Sequence, residues 1–108
     1  MTRWAACLLA LAALAAAPPA RSFTGIVTDS ECDRGDHSRM KMGATDAECA
    51  AACVDAHGAA YVLSAGPNVY ALSDQRAPGK FAGRRVVVVG TLDAKTKTIT
   101  VRSIKAVK

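Results

Sequence analysis

Three cysteines and one histidine, Cys32, His37, Cys49 and Cys53, lie between residues 32 and 53, shortly after an apolar N-terminal segment. If that segment is an export leader, the cluster enters an oxidising compartment. Thiols and an imidazole gathered there form disulfides, a metal site, or a combination of the two. The sequence therefore predicts a compartment and a candidate site, but it identifies no reaction and no substrate.

The first 20 residues have the pattern of a secretory signal peptide. A short basic start is followed by an uncharged run of Ala and Leu from Trp4 to Ala17, and small residues follow. This run of about 14 residues is shorter than the roughly 20 that a membrane-spanning helix needs. Cleavage is expected between residues 20 and 22, with Cys7 removed. A single domain over 21–108, secreted or periplasmic and without a membrane span, is expected to remain.

Charge is distributed unevenly along the predicted domain. Seven acidic residues face three basic ones between Asp29 and Asp55, whereas seven basic residues face Asp93 alone between Arg84 and Lys108. A basic strand face could contact an anionic envelope component such as lipid or polysaccharide. Export and the small number of aromatic residues argue against nucleic acid as the partner.

One helix is predicted. Thr45 and Glu48 have the spacing of a capping box, and Gly58 is a suitable left-handed stop after His57. The helix is therefore expected over Asp46–Ala56, with His57 positioned to interact with the helix dipole.

Five short strands are predicted around this helix, each marked by β-branched or aromatic residues: Phe23–Thr28, Tyr61–Ser64, Val69–Leu72, Arg85–Leu92 and Thr98–Ile104. Gly25 inside the first strand predicts a bulge or a close backbone approach. A helical turn is expected around Lys80–Ala82. Five short strands remove their edges most readily by closing. We predict an α+β fold: a small five-stranded OB-like β-barrel (oligonucleotide/oligosaccharide-binding type) with one helix between strands 1 and 2.

The pattern also resembles a known group of sequences. The positions that carry the likeness are Phe23, Thr24, Gly25, Asp29, Ser30, Cys32, His37, Cys49, Cys53, Tyr61, Val62, Leu63, Phe81, Ala82, Gly83, Val88, Val89, Gly90, Thr91 and Leu92. Together they resemble small exported bacterial domains of unknown function with an Asp-x-x-Cys, His, Cys-x3-Cys pattern. The resemblance covers Phe23 to Ile104 and implies the barrel architecture, but it implies no activity. The chain departs from the family pattern after Cys32, where Asp33 and Arg34 displace the usual glycine and His37 comes one position late.

Cysteine spacing leads to the first functional hypothesis. Cys49 and Cys53 are four residues apart on the predicted helix, so their side chains point the same way and a bond between them would be strained. Cys32 is the expected partner of Cys49 or Cys53, in a disulfide that contributes about 3 kcal/mol and leaves one thiol over. The chain would then be a non-enzymatic binding or interaction module stabilised by this cysteine cluster.

The alternative hypothesis is a transition-metal-binding protein. Cys32, His37, Cys49 and Cys53 could surround an ion tetrahedrally, as in three-Cys, one-His zinc sites. Zinc is the default ion. Met40 and Met42 would favour Cu(I), although packing of a loop onto the helix is the preferred interpretation of these methionines.

Two further classes fit less well. A calcium loop over the acidic residues from Asp29 onward would need glycine where Arg34 stands and glutamate where Met40 stands. A thiol oxidoreductase would need an activated thiolate and Cys-x-x-Cys spacing, whereas the acids beside Cys49 disfavour a second negative charge. No enzymatic activity is predicted.

Overall fold

The structure is a computed structural model that describes residues 18–38 and 41–108. Residues 1–17 of the predicted signal peptide, with Cys7, lie outside the described residues, as does Met40. None of the helices in the described ranges is long and apolar enough to cross a membrane.

The described residues fold as α+β, with one α-helix and five strands. The strands are β1 (Arg21–Asp29), β2 (Tyr61–Ala65), β3 (Asn68–Leu72), β4 (Arg85–Asp93) and β5 (Thr98–Ala106), and α1 (Asp46–His57) lies between β1 and β2. This order confirms the predicted one. Single 3₁₀ turns occupy Ser30–Cys32 and Ala77–Phe81. The second of these is the helical turn that was expected around Lys80–Ala82.

The strands form one sheet whose order is β1-β2-β3-β5-β4, with β4 pairing again with β1. All pairings are antiparallel except that of β3 with β5, which is parallel. β1 is shared between two partners: its second half pairs with β2 and its first half with β4. The end of β1, where Asp29 lies, is therefore held by the sheet.

Two glycines allow strands to approach closely. A Cβ at Gly25 would collide with the carbonyl of Ser64 on β2, so the close approach predicted there is confirmed. The irregularity in strand register lies elsewhere, between Val89 and Gly90 of β4, where a Cβ on Gly90 would collide with the carbonyl of Thr100. Both positions need glycine because there is no space for a side chain.

The apolar core lies inside the closed sheet. Alternate residues of the strands are buried and share apolar character: Phe23, Val27, Tyr61, Leu63, Leu72, Val86, Val88 and Ile99. Phe23 also packs edge-on against Tyr70, with ring centroids 5.3 Å apart. The period-two pattern of the sequence thus corresponds to an inside and an outside face.

Helix α1 begins and ends where its caps predict. The Thr45 hydroxyl accepts a hydrogen bond from the Glu48 amide at 3.1 Å, while the Glu48 carboxylate accepts from the Ala44 amide at 2.9 Å. The reciprocal bond therefore reaches one residue further back than in a standard capping box. Gly58 is left-handed, with φ of 65°, and its amide donates to the Cys53 carbonyl.

Candidate metal centre

The site starts where β1 ends. Asp29, which is fully buried, caps the 3₁₀ turn that follows it. Its Oδ2 accepts hydrogen bonds from the Glu31 amide at 3.0 Å and the Cys32 amide at 3.1 Å. This local turn brings the side chains of Asp29 and Cys32 together, because a cap and the third residue after it face the same side of a tight turn.

His37 comes back to this turn from the following loop and is also buried. Its Nε2 lies 3.5 Å from the hydroxyl of Thr28, and that hydroxyl donates to the Cys32 carbonyl at 2.9 Å. Because the single hydroxyl hydrogen of Thr28 is used on the carbonyl, the oxygen can only accept from His37. The contact therefore places a proton on Nε2 and leaves the lone pair on Nδ1.

The ligand atoms of Asp29, Cys32 and His37 all lie within 4.8 Å of one another, and all three residues are buried. His37 Nδ1 is 3.9 Å from Asp29 Oδ1. Within the described ranges, these two are the buried side-chain nitrogen and oxygen atoms that have no hydrogen-bond partner. A buried polar atom without a partner costs about 1–3 kcal/mol, so two facing each other call for a compensating group.

The direct interaction of these two atoms forms no hydrogen bond: at 3.9 Å it is an ion pair if His37 is protonated and a repulsive contact if His37 is neutral. With the proton on Nε2, a lone pair of His37 faces a carboxylate oxygen of Asp29, which is repulsive. A protonated imidazole would carry a hydrogen on Nδ1, yet 3.9 Å is too long for a hydrogen bond to Oδ1. A cation between the two atoms would satisfy both lone pairs at once.

Two of the cysteine thiols share the electrostatics of this group. Burial raises the pKa of the Cys32 thiol, and the negative charge of Asp29 raises it further. Burial raises the pKa of Cys53 to about 12, with Asp29 adding both as a charge and as a hydrogen-bond partner of the thiol. Asp29 Oδ1 nevertheless has no partner of hydrogen-bonding geometry. Both thiols are stable as thiolates only with a positive charge beside them.

The structure places the four predicted residues unequally. Cys32 and His37 lie in the group of mutually close ligand atoms, together with Asp29. Cys49 and Cys53 are buried on one face of α1 and pack against Ala59. The charges of Cys32 and Cys49 each contribute to the raised pKa of Cys53, so the helix thiols lie beside the group.

All three cysteines are present as thiols, and no disulfide joins them in the described part of the chain. The predicted bond from Cys32 to Cys49 or Cys53 therefore stays a prediction. Of the other residues considered, Met42 is exposed at 37% of its surface, and His57 is exposed in the last turn of α1.

Two residues of the site were not predicted as its members. Asp29 was considered only as a calcium ligand and as part of a family pattern, and Thr28 was not considered. The signal for Asp29 is its position: an aspartate that ends a strand and precedes a cysteine by three residues can cap a turn and bring the thiol to its own carboxylate. For Thr28 the sequence holds no comparable signal, because the bond depends on where His37 returns.

Comparisons of this chain with protein-family models, with curated proteins and with solved structures find no match. The resemblance to small exported bacterial domains therefore stays a prediction, and function must be argued from the site.

Proposed function

We propose that this chain is a small exported domain that binds a transition-metal ion, by default Zn²⁺, through Asp29, Cys32 and His37. The observation that supports this most strongly is the pair of buried atoms without partners, Asp29 Oδ1 and His37 Nδ1, which face each other at 3.9 Å.

The spacing of the group suits such an ion. Oxygen, nitrogen and sulfur ligands on a tetrahedral zinc ion lie about 3.3–3.8 Å apart, given ligand distances of about 2.0–2.3 Å. The corresponding atoms here lie within 4.8 Å of one another, so binding requires a contraction of at most about 1.5 Å. Side-chain rotation in the loop that carries His37 can provide a movement of this size.

The ligand types favour zinc over the alternatives. One carboxylate, one thiolate and one imidazole form a mixed set that suits a borderline ion, whereas Cu(I) prefers sulfur alone. Thr28 acts on the outer side of the site, because it accepts from the ring nitrogen of His37 that does not face Asp29. Such a contact fixes the orientation of a ligating histidine.

Cys53 is the candidate fourth ligand. Its side chain is fully buried, and the negative charge of Asp29 raises the pKa of its thiol. The proposed set is thus Asp29, Cys32, His37 and Cys53, in which Asp29 takes the position that the sequence hypothesis gave to Cys49. Four protein ligands in a buried site close the coordination sphere, and closed sites are structural or storage sites. We therefore propose a binding role and no enzymatic one.

Metal content and Co²⁺ spectroscopy test this proposal. The reduced protein is expected to bind one Zn²⁺, and Co²⁺ in its place is expected to show tetrahedral absorption with thiolate charge-transfer bands. Asp29→Asn is expected to weaken Zn²⁺ binding by about 100-fold, because a neutral amide replaces a charged ligand. Asp33→Asn is the matched control, since it removes the same charge from an exposed position in the same loop.

Two outcomes would overturn the metal proposal. One is reduced protein that binds no stoichiometric metal, and the other is equal affinity in the Asp29 and Asp33 variants. If the isolated protein instead contains one disulfide from Cys32 to Cys49 or Cys53, the non-enzymatic module stabilised by that bond is the better description. Thiol titration and peptide mapping of the oxidised protein distinguish these cases.

We further propose that the closed sheet is an OB-type barrel. Five short strands, the return of β4 to β1 and one helix support it. The helix lies between β1 and β2, whereas a standard barrel of this type has its helix after the third strand.

An anionic envelope component stays a second candidate partner. Arg85, Arg102 and Lys105 are exposed on the neighbouring strands β4 and β5. Binding to anionic vesicles or polysaccharide is expected to weaken with salt. It should also fall in Arg102→Gln and Lys105→Gln while the Zn²⁺ affinity stays unchanged. Binding that is insensitive to salt and to both substitutions would contradict this role.

A further inference from the structure

A cleft of about 540 Å³ opens beside the group of proposed metal ligands Asp29, Cys32 and His37, called the metal group. His37 and Cys49 are the two buried side chains that line it, and they form its floor. The walls come from the loop before α1 and from its first turn, with Lys41 and Asp46 exposed to solvent. The cleft therefore connects solvent to one proposed ligand, His37, and to one helix thiol, Cys49.

The two helix thiols differ in what they face. Cys49 lines the cleft, and its Sγ accepts a hydrogen bond from the Met42 amide at 3.3 Å. Cys53, one turn further along α1, is not among the described cleft residues and is fully buried in the interior. The helix thus presents one sulfur towards solvent and the other towards the buried group.

The charges of the cleft favour a cation. Among the described residues that line the cleft, Asp36 and Asp46 are acidic and Lys41 is basic, so this part of its walls carries a net negative charge. A concave site lined by one sign of charge raises the local concentration of the opposite ion. The chemistry found on going inwards is carboxylates first, then the Cys49 sulfur and the His37 ring, and finally the enclosed ligands.

We propose that this cleft is the route by which the metal ion enters and leaves, and that Cys49 is a transient ligand on that route. This inference rests on the proposed metal site and makes the ion an exchangeable cargo. As the ion passes, a metal–water bond breaks and a metal–sulfur bond to Cys49 forms, while the thiol proton goes to water. The bond to Cys49 is then replaced by the bonds to the enclosed ligands, where the Cys32 and Cys53 thiols each lose a proton to water, and the Cys49 sulfur takes a proton back from water.

Exchange kinetics test the route separately from affinity. Zn²⁺ uptake by the reduced protein and its release to a competing chelator are measured by stopped flow, along with equilibrium affinity. Cys49→Ser is expected to slow both uptake and release by about tenfold while the affinity changes little, since both rates cross the same barrier. Cys53→Ser is the matched control, a buried cysteine on the same helix face, and it is expected to weaken affinity chiefly through faster release.

A second pair of variants tests the charged walls without changing a thiol. Asp46→Asn is expected to slow uptake and to reduce its dependence on salt, whereas Asp55→Asn, an exposed acid near the other end of α1, is expected to leave uptake unchanged. Equal rates in the Cys49 variant and the unmodified protein would overturn the route even where zinc binds stoichiometrically. The same holds if the Asp46 and Asp55 variants behave alike. If the unmodified protein binds no zinc, the proposed function fails first and this inference fails with it.

Discussion

The closed sheet and the loop–helix segment, residues 29–57, bury different chemistry. Inside the sheet the buried side chains are almost all apolar and pack on one another. The loop–helix segment buries Asp29 and His37 with atoms that have no partner, and its helix buries small side chains, Cys49, Ala50 and Cys53. The sheet is therefore held mainly by hydrophobic burial. The segment adds Ala50 to that core, with Ala47 and Val54 beside it, but its buried polar groups need a further interaction.

The closed sheet is thus the part of the molecule that folds by hydrophobic burial, and the loop–helix segment is the part proposed to bind the ion. The strands fix the end of β1, and the group of Asp29, Cys32 and His37, the proposed metal ligands, is built there and in the loop that follows from residues that contribute little hydrophobic burial. Removal of the ion is then expected to loosen the segment without unfolding the sheet.

The largest expected effect is on the stability of the sheet. Leu63→Ala removes a fully buried side chain from the centre of the core. We expect it to lower the free energy of unfolding by about 2–5 kcal/mol, because the sheet cannot fill the cavity. Urea denaturation followed by circular dichroism measures this, and both regions should unfold together.

Ile26→Ala is the control for that change, since Ile26 is 39% exposed on the neighbouring strand β1. Its effect is expected to stay within about 0.5 kcal/mol. A similar cost for both substitutions would show that the sheet has no well-packed interior, and the contrast between the two regions would be lost.

The next effect comes from the ion. Zn²⁺ at 100 times its dissociation constant is expected to stabilise the bound state by about 2.7 kcal/mol. Hydrogen exchange followed by mass spectrometry should show this protection in the loop and α1, and much less of it in β4 and β5. At the same zinc concentration the Asp29→Asn variant, with about 100-fold weaker binding, should gain only about 0.4 kcal/mol and much less protection in the loop and α1. Protection spread evenly over the whole chain would mean that the segment and the sheet are one cooperative unit.

Most of the fold could be predicted from the sequence because its signals are local. Alternation marks the strands, Thr45 and Gly58 mark the ends of the helix, and Gly66 with Pro67 marks the turn between β2 and β3. At Gly25 a bulge or a close backbone approach was expected, and the close approach is what the structure has; the shift in strand register lies at Val89 and Gly90, which only the pairing of β4 with β5 reveals.

The site could be predicted only in part. Cys32 and His37 carry an obvious chemistry, so they were found from residue type and proximity alone. The involvement of Asp29 depends on the turn that it caps, and that of Thr28 on the path of the loop back to the sheet. The positions of Cys49 and Cys53 relative to the group depend on the angle at which α1 packs on β1, which no local pattern encodes.

The third effect concerns the support of a ligand. Thr28→Val keeps the size and shape of the side chain but removes the oxygen that contacts His37 Nε2. Zn²⁺ affinity is expected to fall by about 10–100-fold, or about 1.4–2.7 kcal/mol, since the ring of His37 is no longer held in orientation. Competition titration with a chelator measures the change.

Thr24→Val is the matched control, because Thr24 is an exposed threonine on the same strand. It should leave the affinity unchanged. If the Thr28 variant keeps full affinity, the hydroxyl of Thr28 does not orient His37, and the assignment of the Nε2 proton to the threonine contact would have to be reversed.

The smallest expected effect tests whether the helix can be destabilised without the sheet. Thr45→Ala removes the hydroxyl that accepts from the Glu48 amide, and loss of such a cap costs about 1 kcal/mol. Since α1 buries little apolar surface, this cost should appear as faster hydrogen exchange in the helix, with exchange in β1 and β4 unchanged. Thr100→Ala, an exposed threonine on β5, is the control and should leave the helix unaffected.

Bound Zn²⁺ should reduce the effect of the Thr45 change, because Cys53 then links the helix to the end of β1. If the cap change loosens helix and sheet equally, or if zinc does not reduce it, the helix is held by packing rather than by its thiol.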